Sequence, residues 1–312
     1  MKAAQISEYG DASVITINEI AKPVAGEGQV VVAVHAASIN PFDTTIRQGY
    51  MQEMIPLEFP VTLGGDIAGE IVEVGQGVED FEVGDTVYGQ ANVVAGNSGA
   101  FAEFAATKAD QIGRAPAGIS ILEAASLPLA GVSAVQALTE HLDLQEGQKI
   151  FIHGGGGGIG SMAIQIAKHI GAHVATTATG DRVEFVRSLG ADEVIDYKTQ
   201  DFTEVLADYD AVFDTVGGDD FARTLDVLRR GGTAVSMIAQ PDEAKAAELG
   251  VTALMQSTGV TTDRLDKLTA LVEDGVVKPQ VDKTFPLAQV AEAFAAREGG
   301  AVKGKVVLQI TA

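Results

Sequence analysis

Residues 149–179 read KIFIHGGGGGIGSMAIQIAKHIGAHVATTAT, and how the five consecutive glycines Gly154 to Gly158 are read decides the fold. A flexible linker has polar flanks and repeats with serine. This run instead follows the apolar Ile150-Phe151-Ile152 and precedes Ile159, Ala163, Ile166 and Ile170, which recur at helical spacing until Gly171 offers a stop. The order is therefore buried strand, glycine turn, amphipathic helix, strand. Within it, Gly155-x-Gly157-x-x-Gly160 matches the dinucleotide fingerprint. The first glycine permits the tight turn, the second lets a diphosphate approach the backbone, and the third lets helix and strand pack closely. The helix N-terminus, with the amides of Gly158, Ile159 and Gly160, then faces the phosphates.

The end of the second strand chooses between dinucleotides. An acidic side chain there accepts from the adenosine ribose hydroxyls. In AHVATTATGDR that position falls near Ala178, and no carboxylate appears before Asp181. Thr177 and Thr179 can donate hydrogen bonds, and Arg182 can offer its planar fork to a 2′-phosphate. NADP(H) is favoured over NAD(H).

Outward from this stretch, two grammars appear. The first third consists of short Gly-punctuated strands such as QVVVAVHAASIN, GDIAGEIVEVG and GDTVYGQ, which suggest a compact β-barrel-like domain. From about Ser120, ISILEAASLPLAGVSAVQALTEHL is helical in composition. Strand-like runs at Lys149–His153, His173–Thr177, Glu193–Asp196, Ala211–Asp214, Thr233–Ile238 and Val251–Met255 then alternate with helix-like segments. That alternation is the pattern of a doubly wound parallel sheet covered on both faces. The tail GKVVLQI regains strand character and can pair back with the first domain.

The 312 residues are enough for two ordinary domains, and 46% hydrophobic content can fill a core in each. A formal charge of −22 repels nucleic acid and anionic membranes at long range, so neither is an expected partner. The lack of a long apolar run and the strand-like start after Met1-Lys2 lead us to expect a soluble cytoplasmic protein. The chain has no cysteine, which excludes disulfides, thiolate nucleophiles and Cys-based zinc sites. His169 and His173 have the spacing of a metal pair, but Gly171 breaks the helix between them.

Several motifs together, AASINPFDTTIRQG, GGDIAGEIVEVGQGVEDFEVGDTVYG, AASLPLAGVSAVQAL, HGGGGGIG, DAVFDTVGG and GKVVL, resemble the zeta-crystallin-like NADPH:quinone oxidoreductases. These are zinc-independent members of the medium-chain dehydrogenase/reductase superfamily. The resemblance covers nearly the whole chain in unbroken motif order. It implies a GroES-like, β-barrel-type catalytic domain over residues 1–119, joined by 280–312, and a Rossmann NADP(H)-binding domain over 120–279, with the active site in a cleft. It also implies a homodimer or tetramer that reduces quinones or the activated double bonds of enones and enals with NADPH. The alternative is a protein that binds NADP(H) as a sensor or structural element with little turnover.

Zinc-dependent relatives carry Cys near the position of Asn40 and Gly-His-Glu where this chain reads Gly64-Gly65-Asp66, so no metal site is expected. The resemblance places Asn40 and Asp43 beside the nicotinamide. It puts Thr45 where relatives often have Tyr, leaving Thr45, Tyr50 or water as the proton donor. It brings Tyr197 near the adenosine 2′-phosphate, and Val216, Gly217 and Lys305 to the cofactor.

Overall fold

The structure, a computed structural model, describes residues 1–310. The chain folds into two units. One holds Met1–Leu129, Val260–Glu273 and the chain from Pro279 on; the other holds Ala130–Gly259 and Asp274–Lys278.

The second unit is built on six parallel strands in the order Glu193–Asp196, His173–Ala178, Lys149–His153, Tyr209–Asp214, Leu228–Ser236, Thr252–Met255. Ile150, Phe151 and Ile152 are fully buried because helices cover both faces, and this is why the strand reads as a continuous apolar run. The chain reverses its strand order between Lys149–His153 and Tyr209–Asp214. That switch point is where open α/β sheets leave a crevice. The helix after the glycines spans Gly158–Ile170, and Gly171 ends it at φ 92°. This is a doubly wound, Rossmann-type sheet, as the alternation of strands and helices predicts.

The first unit carries the GroES-like half. A seven-stranded sheet runs Val281–Pro286, Lys305–Gln309, Gln29–Ile39, Asp66–Val74, Thr86–Gln90, Ile112–Arg114, with Phe104–Lys108 also paired to Gln29–Ile39. The tail does return to the first third of the chain, since Val306 pairs with Ile39 and Leu308 with Ala37, antiparallel. Val30, Val32, Ile67, Ile71, Phe101 and Phe294 fill the core beneath. The composition shift lies near residue 120, whereas the first unit runs on to Leu129. The helix Ile121–Ala125 packs on Gln29–Ile39 and Asp66–Val74, and so belongs to the first unit. Thr262–Glu273 does likewise through Ile112–Arg114, and Tyr88 fixes it by donating its hydroxyl to the Leu265 carbonyl at 2.7 Å.

The stretch of helical composition after Ser120 holds two helices: Ile121–Ala125 ends before Pro128, which opens Pro128–Gln136. Proline lacks the N–H to continue a helix and restricts the residue before it, yet it fits a first turn. Among the described residues no helix is long and apolar enough to cross a membrane.

Candidate functional site

The glycine turn of the second unit divides its labour residue by residue. Gly154 takes φ 91°, a conformation that only glycine adopts cheaply. The sequence assigned the tight turn to Gly155, so that role moves one residue earlier. Gly155 is glycine for another reason: a Cβ there would lie 2.2 Å from Thr176 Oγ1. At Gly160 a Cβ would stand 2.3 Å from the Gly154 carbonyl oxygen, the close helix-to-turn packing expected of the third fingerprint position. Gly157 differs. Its Cβ would meet only the Gly154 oxygen, at 3.5 Å, so one face of this residue is open. The next strand staples the turn, with Gly154 N donating to Thr177 Oγ1 at 2.9 Å and Gly155 N to Thr176 Oγ1 at 3.0 Å.

Beside the turn lies a cavity of about 600 Å³. Gly157, Thr177, Arg182, Tyr197 and Val216, all singled out from the sequence, meet on its walls. Arg182 lies along the turn, its Cδ 2.9 Å from where a Cβ on Gly156 would sit. Lys198 and Arg223 add positive charge, and Arg223 is tethered to Asp201 at 2.6 Å and to Asp220 at 2.9 Å. Tyr197 and Val216 expose about half their surface. Gly155 does not line the cavity. Gly158, Ile159 and Gly160 form the first helical turn behind its wall, and Gly217 spends its amide on Asp214 at 3.1 Å. Thr177 differs from its expected role as a ligand donor: its Oγ1 is 3.0 Å from His153 Nδ1 as well as accepting from Gly154.

His153 is the residue that sequence reasoning missed. It ends an otherwise apolar strand directly before the glycines, and that interruption is the only signal it leaves. The imidazole is 4% exposed, packs against Phe151 and Phe202 and lines the cavity. Burial pushes its pKa down, against the pull of Asp214 and Asp220. Its Nε2 has no hydrogen-bond partner, the nearest carboxylate oxygen being Asp220 Oδ2 at 3.8 Å.

The residues carried by SINPFDTTIRQGY fold into the first unit around a buried polar cluster. Lys305 Nζ donates to Asn40 Oδ1 at 2.5 Å, and Asn40 Nδ2 donates to Asp66 Oδ2 at 2.8 Å. Ser38 Oγ also reaches Asp66 Oδ2, at 3.0 Å, while Gln90 Nε2 and the Leu129 amide serve Asp66 Oδ1 at 3.2 and 3.1 Å. Asp43 accepts from the Asn40 amide at 2.7 Å and so caps the helix Pro41–Arg47. Burial pushes the Asp43 carboxyl up to about 7; the Asn40 amide, Lys305 and Arg297 oppose that rise, and the Asp66 charge adds to it. Burial lowers the Lys305 pKa, against Asp66 and Asp43.

Lys305 is thus 4% exposed in the first unit, fastened to Asn40 and Asp66, rather than presented as a cofactor ligand. Thr45 returns its hydroxyl to the Pro41 carbonyl at 3.3 Å, and Tyr50 is exposed.

A dinucleotide fits the second unit: Gly157 has an open face where only glycine leaves the backbone bare, beside a cavity that Arg182 and Lys198 line. Zinc does not fit at Asp66. Both carboxylate oxygens are already subscribed, the cation beside them is the Lys305 ammonium, and the described residues contain no group of three metal-ligating side chains.

Comparison with known proteins agrees with this architecture. Residues 26–117 match the alcohol dehydrogenase GroES-like domain, and residues 189–308 match a family described as zinc-binding dehydrogenase. The chain is 36% identical to the NADPH-dependent alkenal/one oxidoreductase of Arabidopsis thaliana chloroplasts, over 99% of its own length and 79% of the relative's. The quinone oxidoreductase of Coxiella burnetii superposes with a TM-score of 0.91 at 32% identity, covering 100% of this chain and 99% of that one. The Escherichia coli quinone oxidoreductase in complex with NADPH superposes with a TM-score of 0.90 at 27% identity, over 99% and 100% of the two chains.

Proposed function

The chain belongs to the quinone and alkenal oxidoreductases of the medium-chain dehydrogenase/reductase superfamily, and from that premise we propose that it uses NADPH to reduce quinones or the activated double bonds of enones and enals. One observation carries the reading: the bare backbone at Gly157 adjoins a cavity rimmed by Arg182 and Lys198, which suits a diphosphate followed by a 2′-phosphate.

When bound, NADPH supplies a hydride. The first amides of the Gly158–Ile170 helix would hold its diphosphate. Arg182 would offer a two-pronged contact to the 2′-phosphate, and Lys198 a point charge. Hydride addition to a conjugated acceptor places negative charge on a remote oxygen, and conjugation spreads it. A hydrogen-bond donor contributing about 3 kcal/mol in the transition state is therefore a sufficient aid, and a strong Lewis acid is not needed. On the substrate side we assign Asn40 as a positioning group. Lys305 and Asp66 fix which way its amide points, leaving one Nδ2 hydrogen uncommitted. Asp43 holds the Asn40 backbone in place, and Thr45, Tyr50 or water remain the candidates for returning the proton. We also propose a homodimer, for which the Thr252–Met255 strand supplies a sheet edge with Met255 exposed.

The test is NADPH consumption with a panel of quinones and enones, with and without a chelator, in wild type and Arg182→Ala. We expect chelator-insensitive turnover. In Arg182→Ala, KM should rise about tenfold for NADPH and little for NADH, the loss of one charge-assisted contact. Tight NADPH binding with no turnover across the panel would leave a binding protein instead.

A further inference from the structure

One distant stretch of chain grips the helix Pro41–Arg47 along its length, at contacts 251 to 265 residues apart in sequence. At the N-cap, Lys305 donates to Asn40 Oδ1. Over the first turn, Arg297 acts on the Asp43 carboxyl through its charge. At the far end Glu298, which closes the helix Val290–Glu298, accepts on one oxygen, Oε1, from Thr44 Oγ1 at 2.9 Å and from Arg47 Nη2 at 2.8 Å. The Arg47 side chain is fully buried, and its Nε and Nη1 have no hydrogen-bond partner. The Phe294 ring lies 4.8 Å from its Cζ, and Asp11 acts on it only through charge at a distance. Glu298 is therefore the one carboxylate bonded to this cation among the described residues. A buried cation that loses its counter-ion is strongly destabilising where it stands.

We propose that Glu298 is a positioning residue for the substrate side: by holding Thr44 and Arg47 it sets the seat of the helix Pro41–Arg47, and with it the place where Asn40 presents its uncommitted amide hydrogen. This rests on Asn40 being the group that meets the acceptor. Packing alone does not set that seat, because of the three buried residues of the helix, Asp43, Ile46 and Arg47, only Ile46 is apolar, and apolar burial is non-directional. Thr44 stands about one helical turn from Asn40 and the whole helix is about 10 Å long, so a shift at its tethered end reaches its N-cap. A misplacement of about 1 Å at a reacting group can lower the rate about a hundredfold.

The experiment compares the full-length wild type with Glu298→Ala and with the double variant Arg47→Met, Glu298→Ala, which lacks both the tether and the buried cation. Tm is measured beside kcat and KM, for NADPH and for a quinone or enone that the wild type reduces. We expect Glu298→Ala to lower Tm and to lower kcat by about tenfold. KM for NADPH should stay within about twofold of wild type, because the cofactor cavity lies in the other unit. The double variant should recover Tm, since an apolar residue can replace a buried charge, yet keep the low kcat. If kcat returns with Tm, Glu298 serves stability alone and the proposal is overturned, as it is if kcat never falls. Should Glu298→Ala fold poorly, the double variant carries the comparison alone. Should wild type reduce no acceptor, the activity reading fails, and hydrogen exchange in the double variant decides the tether by itself. Exchange should quicken about tenfold as far as the Asn40 and Asp43 amides while the strand Gln29–Ile39 keeps its protection. Faster exchange confined to residues 44–48, or none, counts against the tether.

Discussion

Alanine at two glycines of the same turn separates a backbone shaped for packing from one shaped for a ligand. At Gly160 an added Cβ lies 2.3 Å from the Gly154 oxygen and 2.7 Å from the Gly155 Cα, both backbone atoms that no rotamer change can move. Restoring ordinary packing means shifting the helix by about 1 Å against its strand, an overpacking cost of about 1–3 kcal/mol. Gly157 has φ −87° and ψ 177°, which alanine adopts without strain, and its Cβ would touch the protein only at 3.5 Å. The poorer N-cap and the stiffer unfolded chain nearly cancel, leaving stability within about 0.5 kcal/mol of wild type. The methyl does, however, stand where a diphosphate must approach. Gly160→Ala should therefore lower Tm by roughly 2–10 °C. Gly157→Ala should keep Tm and lose at least tenfold in NADPH affinity, about 1.4 kcal/mol. Thermal unfolding without ligand and calorimetric titration with NADPH read the two effects separately. If Gly157→Ala binds NADPH like wild type, or loses affinity only in step with stability, the turn is not the diphosphate cradle.

The polar cluster of the first unit makes two further predictions. Lys305→Met strands the fully buried Asp66 carboxylate without its cation and should cost about 3–5 kcal/mol in urea unfolding, with Asp66→Asn in the same chain recovering at least half. A neutral effect of Lys305→Met would show that the ammonium is not what balances Asp66. The Asp43 carboxyl, raised from 3.8 to about 7, holds its proton in the folded state over a range where the unfolded chain has released it. Its contribution to stability is therefore complete below pH 4 and disappears as pH rises toward 7. Asp43→Asn should flatten that fall in a series of denaturant midpoints between pH 4 and 8; an unchanged pH profile removes Asp43 as its source.

What the sequence made legible follows the physics of each element. The parallel sheet was readable at its centre because strands buried on both faces are apolar runs, and Lys149–His153 falls where the pattern puts it. The helix after the glycines was readable because its period and its Gly171 stop are local. Lys305 was not readable, because it opens a strand buried at four consecutive positions. A lysine there is stable only through Asn40 and Asp66, which lie 265 and 239 residues away. His153 is likewise held by a distant partner, Thr177, 24 residues on.

The same distinction between local and distant explains how a chain of formal charge −22 can hold a polyanion. Repulsion from scattered surface carboxylates is spread over distances that exceed the roughly 8 Å screening length of physiological salt. The attraction is all at close range: the first amides of the Gly158–Ile170 helix, and the cations Arg182 and Lys198 on the cavity wall. The carboxylates that do lie on that wall, Asp201 and Asp220, are both tied to Arg223, which keeps their charge turned toward a guanidinium rather than toward the ligand. Net charge thus acts diffusely and at long range, while the arrangement of a few donors around Gly157 acts on the ligand at close range.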